Sequence, residues 1–380
     1  MSSLFRSKRV RSITSQVLVL LGVVILIGYL GYNTSVNLEK TGIASGFRFL
    51  GERAGYPINF SVIHYSPDAS THFDAYIVGI LNTILFTVVT IAITTVLAVL
   101  LALARLSSNW LLSNISTVIV EYFRNVPMLL HLFVWLLVFV KLPPPKKALS
   151  FFDAVFISNR GLYYPDITAF GYSVFALFVA LFFVWAALMQ LTQKGKISFE
   201  PKRIYPLGAI ICVGLVGVAA VTGSLEITRP VLRGFNFKGG SVIPPELVNI
   251  VVAISTYSAA HASELIRGSI LAVPKGMTEA AKALGAGPWL TQRAIIFPIA
   301  MKSVIPPMTS TYVNILKASA LGVVVGFMGV MTTTGGSTLN ITGQAVECIV
   351  LVVVAYMVMN LGLAFVMGRI NRNFNRLGEK

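Results

Sequence analysis

Eight stretches of this chain are apolar and long enough to cross a lipid bilayer as helices, which leaves little room for any fold built in water. A helix needs about 20 predominantly apolar residues to span the hydrocarbon core. The stretches run over 16–32, 76–104, 118–140, 168–189, 206–223, 247–266, 304–328 and 344–370, with charges and prolines near the ends of the third and sixth. Over 380 residues, 56% are hydrophobic and 12% charged, and the mean hydropathy is +0.79. A soluble enzyme with its own core is excluded. The expected fold is an all-α membrane protein with eight transmembrane helices.

The formal net charge of +16 reads first as topology, not as nucleic-acid binding. With the N-terminus in the cytoplasm, eighteen Lys and Arg fall on the inner side and ten on the outer, and Arg124 and Lys317 lie in or near the membrane. The positive-inside bias therefore selects an even span count with both termini cytoplasmic. The first span follows a basic segment, but its exit at Gly31-Tyr32-Asn33-Thr34-Ser35 lacks a small-x-small cleavage pattern and reads as an uncleaved anchor. The long outer loop after it is rich in Gly, Pro, Asn and Ser with interspersed Tyr and Phe, and is expected to be ordered against the bundle. Pro143-Pro144-Pro145 should open another outer segment in an extended conformation. Cys212 and Cys348 both lie in apolar runs and support neither a disulfide framework nor a metal site.

One cytoplasmic segment, Pro274 to Trp289, is unlike a connecting loop. Thr278 can cap a short helix that Gly285 ends, since glycine reaches the left-handed conformation without penalty. Ala280, Ala281, Ala283 and Leu284 leave a low-profile surface that a partner can approach closely. Pro288 suits the first position of a second helix, and Pro298 should disrupt it ten residues later. An amphipathic hairpin lying on the membrane would use the same pattern.

Glu279-Ala280-Ala281, Gly285, and Ile295-Ile296-Phe297-Pro298 resemble the signature of the membrane subunits of ATP-binding-cassette importers, in which E-A-A, a glycine and I-x-L-P recur at this spacing. Only Phe297 departs from the pattern. The resemblance implies that Glu279, Ala280, Ala281, Gly285, Ile295 and Pro298 form the helix that docks on an ATPase subunit. Glu121-Tyr122-Phe123-Arg124-Asn125-Val126-Pro127, Ala262-Ser263-Glu264-Leu265-Ile266-Arg267-Gly268 and the stretch Thr338 to Glu347 are similar to segments of the polar and general L-amino-acid permeases. By that resemblance, 76–140 and 247–370 make up a five-helix core of the type I importer kind. Residues 1–75 then add an anchor helix and outer loop, 141–246 an accessory two-helix insertion, and 371–380 a cytoplasmic tail. It further implies an ATPase dimer, a second permease, an extracytoplasmic amino-acid-binding protein and a bacterial inner-membrane location. Because the chain has no G-x-x-x-x-G-K-[ST] loop, Mg-ATP would sit on the partner, and this chain needs no cofactor of its own.

Glu121 with Arg124, and Glu264 with Arg267, stand i,i+3 on helices and can form structural ion pairs. His131 and His261 are single imidazoles on apolar helices, read as hydrogen-bonded core residues, and His64 and His72 carry no motif. Gly322 and Gly326 form a small-xxx-small pair suited to close helix contact. Lys317, expected halfway along 304–328, needs a carboxylate such as Glu264, a set of carbonyls, or a watery translocation path where it meets a substrate carboxylate. A stand-alone secondary carrier or channel is the rival reading. It lacks the inverted halves with broken helices that such a carrier would show, and it gives the signature loop no purpose.

Overall fold

The computed structural model describes residues 8–41, 46–167 and 227–376. Its contacts divide the chain into two compact units, one of residues 1–129 and 253–380, the other of residues 130–252. Most of what is described is helical. Among the described residues, four helices are long and apolar enough to cross a membrane, or five spans if one broken pair counts as a single crossing, and the eight expected spans are not confirmed. Two of them, 168–189 and 206–223, lie outside the described residues, and two others differ in ways their sequences explain.

The expected span 118–140 is two helices, α3 (Trp110–Asn125) and α4 (Met128–Val140). The ring of Pro127 disfavours the helical region for the residue before it, and Val126 accordingly sits at φ −97°, ψ 131°. The span at 247–266 lies within α5 (Pro245–Leu271), which is long but is not among the helices apolar enough to qualify. Its Asn249, Ser255, Ser258 and Ser263 are buried alongside Ile250, Ile254, Ala259 and Ala262. A helix enclosed by protein does not need the hydropathy that lipid contact demands. The same trade is visible elsewhere: Pro288–Val325 is the most enclosed span at mean hydropathy 1.2, whereas Ala345–Phe374, largely unburied, reaches 2.6.

In the first unit, α1 (Lys8–Thr41) carries an apolar window at Ser12–Asn33 with exposed side chains. A 3₁₀ turn at Arg48–Gly51 and an irregular segment lead to α2 (His72–Arg105). That helix starts before the apolar run because Thr71 and Asp74 form a capping box, each side chain bonding the other's backbone N–H. The segment between α1 and α2 is held against the helices. Tyr56 donates to the Thr333 carbonyl at 3.2 Å and pairs with Thr338 Oγ1 at 3.0 Å, and Tyr65 donates to the Tyr56 carbonyl at 2.8 Å. Burial pushes the Tyr56 phenol up to about 12, against the lowering effect of its bond to Thr338, so it stays neutral and keeps donating at physiological pH.

After the separate helix α6 (Lys275–Ala283), the expected span 304–328 is part of a longer run: α7 (Pro288–Thr291), a π turn at Gln292–Ile296 and α8 (Phe297–Ala318). Pro298 does not end this run. It sits in the first turn of α8 directly after the widened π turn, where its missing N–H and bulky ring are tolerated. The helix continues through Ser319–Leu321 and Gly322–Val325, then stops at Gly326, whose φ is +79°. Gly326 is thus a left-handed terminator, not half of a helix-packing face with Gly322. A broken stretch to Thr342 leads into α9 (Ala345–Arg376). Ala98 of α2, Ala259 and Ala262 of α5, Val304, Ile305 and Met308 of α8, and Met367 of α9 form one buried cluster.

The second unit departs from the all-α expectation. Strands β1 (Leu149–Phe151), β2 (Val155–Ser158), β3 (Gly161–Tyr164) and β8 (Ser241–Ile243) form an antiparallel sheet in the order β1-β2-β3-β8. Strands β4 (Asp166–Ile167) and β5 (Ile227–Thr228) pair with each other, as do β6 (Val231–Arg233) and β7 (Asn236–Lys238). Phe237 packs on Phe156 and Tyr163 with ring centroids 4.6 and 4.7 Å away, and Tyr163 donates to Asn236 Oδ1 at 2.8 Å. These strands are two to four residues long, too short for a period-2 pattern to stand out in sequence.

Gly79 of α2 tests how the first unit is held. A Cβ there would lie 2.9 Å from the Val330 Cα and collide with the Thr333 side chain. Gly79→Val should destabilise the purified protein by at least about 1–3 kcal/mol, as overpacking does, read as a lower melting temperature. Gly362→Ala on α9, where nothing lies within 4 Å, should leave it unchanged or slightly raised.

Candidate functional site

The segment singled out by its glycines and alanines folds into α6, a tight turn, and α7. Thr278 does not cap α6: the helix begins at Lys275 after Pro274, and the Thr278 hydroxyl donates back to the Lys275 carbonyl at 2.7 Å. The other end is as its glycine demands. Gly285 has φ +77°, its N–H bonds the Lys282 carbonyl at 2.9 Å, and the Ala286 N–H bonds the Ala281 carbonyl at 3.0 Å. Together these bonds make a complete Schellman motif, which satisfies carbonyls the helix end would otherwise leave open. Pro288 then opens α7 after Gly287.

The turn is rigid but its surface is bare. Leu284 is 88% exposed and Trp289 76%, and Met277, Leu290 and Phe297 are exposed as well. Glu279 and Ala280 are also exposed, whereas Ala281 is buried and Ile295 is partly covered. Apolar side chains held out by a stiff turn, with a carboxylate among them, suit a protein partner.

Residues of α5 and α8, with Arg124 and Met128, line a cavity of about 650 Å³ that includes Tyr257, His261, Glu264, Ser310 and Asn314. His261 stacks on Tyr257 at 4.7 Å. Arg124 and Glu121 pair at 3.3 Å, both partly solvated, so this pair adds little to stability. Glu264 is held differently. Arg267 Nη2 meets it at 2.5 Å, and Arg105 at the end of α2 binds its other oxygen. The guanidinium of Arg105, only 10% exposed, thus ties α2 to α5. In the sequence Arg105 carries no signal beyond its charge, because 159 residues separate it from Glu264 and no local spacing joins them.

Lys317 is not Glu264's partner. It sits exposed near the end of α8, where the helical run continues through Ser319–Leu321 to Val325, and forms no ion pair among the described residues. Asn314, three residues earlier and so one turn away on the same face, lines the cavity. Arg124 and Glu264 line the cavity and are paired with Glu121 and Arg267, whereas Lys317 is not among the lining residues.

Residues 208–376 match the family described as Binding-protein-dependent transport system inner membrane component. YhdX of Escherichia coli (strain K12), named as a candidate amino-acid ABC transporter permease, is 39% identical over 97% of this chain and 95% of its own length. The chain belongs to the ABC-transporter permeases. The General L-amino acid transport system permease protein AapQ of Rhizobium johnstonii is 37% identical over 92% of this chain and 89% of its own. The Glutamate/glutamine/aspartate/asparagine transport system permease protein BztB of Rhodobacter capsulatus is 32% identical over 98% and 96%. As a permease, the chain is a multi-pass membrane component that carries out transport while a separate ATPase hydrolyses ATP.

The Glu264 bridge gives a direct test. Arg105→Gln and Glu264→Gln, measured singly and together by thermal unfolding of the purified permease, should show a coupling of about 0.5–3 kcal/mol. Glu264→Gln alone should cost more than Arg105→Gln, because it strands two guanidinium groups while the other substitution leaves Arg267 paired.

Proposed function

We propose that this permease carries L-amino acids into the cell across the bacterial inner membrane by alternating access. The near full-length likeness to YhdX, AapQ and BztB, all named for amino-acid transport, is the observation that carries this reading. An extracytoplasmic binding protein delivers the substrate, a second permease completes the pathway, and an ATPase dimer holding Mg-ATP docks on the loop of Glu279, Ala280, Ala281 and Gly285. Residues 76–140 and 247–370 act as a five-helix type I core, with α1 as anchor and 141–246 as an accessory insertion, and both termini face the cytoplasm. The Lys and Arg distribution supports that orientation.

The cavity of Arg124, His261, Ser310 and Asn314 is the part of this chain through which an amino acid passes, its hydroxyl, amide and charged groups matching a zwitterion. Lys317, one turn beyond Asn314, offers a transient site for the α-carboxylate, a group common to all amino acids and therefore suited to broad specificity. A secondary carrier would not need an exposed Leu284 and Trp289 on a stiff cytoplasmic turn.

Proteoliposomes containing the purified complex should take up labelled L-amino acids only with internal ATP and external binding protein. Uptake driven by an ion gradient alone would return the rival reading. Gly285→Asp should insert normally yet lose most uptake, since a side chain at φ +77° costs roughly 1–2 kcal/mol and the turn would open. Wild-type transport in that variant would remove the coupling role. Lys317→Met should depress uptake while the complex still assembles, whereas loss of the complex would mark Lys317 as structural.

A further inference from the structure

The sheet of the second unit carries a surface that the transport reading leaves unexplained. Among the described residues 141–167 and 227–246, seven are basic (Lys141, Lys146, Lys147, Arg160, Arg229, Arg233 and Lys238) against three acidic, Asp153, Asp166 and Glu246. On the proposed topology this cluster lies on the side from which the positive-inside bias removes Lys and Arg, so topology does not account for it.

Aromatic side chains stand among these charges without cover. Phe152, at the tip of the β1–β2 hairpin, is 100% exposed and has φ +55°, a region that bulky residues avoid. Phe151 beside it is half exposed. Phe235, at the tip of β6–β7, is 76% exposed, with the Lys146 ammonium 4.1 Å from its ring centroid. The strand register also aligns Leu149, Ile157, Leu162 and Ile243 in one row across the sheet, on the face opposite Phe156 and Tyr163. That row is only partly covered, and Leu149 is 48% exposed.

The connections fix where this surface stands. Lys141 follows directly on α4, and one residue, Pro244, separates β8 from α5. A sheet joined so tightly to helix ends cannot move far from the level at which those helices leave the hydrocarbon. Exposed aromatic rings interleaved with Lys and Arg at that level are the chemistry of the headgroup layer.

We infer that the β-sheet unit of residues 141–167 and 227–246 rests on the bilayer surface, its hairpin tips at Phe152 and Phe235 entering the headgroup layer and its lysines and arginines holding anionic phospholipid. The charge decides between this occupant and an uncharged one, and the short tethers favour lipid over a distant partner.

The test uses the full-length chain with Cys212 and Cys348 replaced by alanine and a fluorophore on Phe152→Cys, in nanodiscs of phosphatidylcholine with or without phosphatidylglycerol. With the anionic lipid, nitroxide-bearing lipid should quench the label several-fold more than aqueous iodide does. Phosphatidylcholine alone, or the surface variant Lys146→Ser/Arg233→Ser/Lys238→Ser, should reverse that order. Equal iodide quenching in both lipids would overturn the proposal. So would shielding of the label that appears only when an amino-acid-binding protein is added, because the surface would then be a docking face for protein.

Discussion

The broken stretch between Gly326 and Thr342 depends on α2 for hydrogen bonds that lipid cannot supply. Non-helical backbone at membrane depth survives only where protein satisfies its polar groups. Here the Val330 N–H bonds Thr83 Oγ1 at 3.0 Å, and the Asn82 amide donates to the Met328 carbonyl at 2.9 Å and to the Phe60 carbonyl at 2.7 Å. Tyr56 meets the Thr333 carbonyl from the outer segment. The largely apolar α2 therefore has polar groups facing this stretch, and Gly79 sits among them because Val330 comes too close for any side chain. The segment between α1 and α2 adds to these contacts, and its Gly46 N–H reaches Glu347 at the start of α9 at 2.7 Å.

What the sequence shows and what it hides divide along the range of the forces involved. The apolar runs of α2, α8 and α9 are legible because lipid contact imposes composition residue by residue. Gly285 is legible because a helix end followed by Gly-Ala-Gly-Pro has few conformations open to it. The break at Val126-Pro127 follows from a local rule that the apolar count overrode. By contrast, α5 falls short of the span criterion although it is extensively buried, since burial against protein leaves no hydropathic trace. The Arg105 to Glu264 bridge and the Tyr56 to Thr338 contact join residues far apart in the chain, and no spacing rule reaches them. Thr278 shows the opposite error, a good capping residue displaced because Pro274 had already set the helix start three residues earlier.

The site follows the same division. The spacing singles out Glu279, Gly285 and Pro298, and helical periodicity pairs Glu121 with Arg124 and Glu264 with Arg267, as the structure shows. Ser310 and Asn314 carry no motif and acquire meaning only when α8 places them across from His261. Lys317 stays inside the helical run Pro288–Val325, and its side chain is exposed there.

The position of the loop also constrains how force can pass through this chain. Residues 272–274 alone separate α5 from α6, and Val273 among them is buried, so a displacement of α6 cannot be absorbed by slack on that side. On the other side the Schellman turn locks α6 to α7 through two backbone bonds. The next compliant element is the π turn at Gln292–Ile296, where the helical ladder is widened before α8 begins. Both helices wall the cavity of His261 and Asn314, and Arg105 ties α5 to α2 through Glu264, so a partner that pressed on Leu284 and Trp289 would load both the π turn and this ion pair.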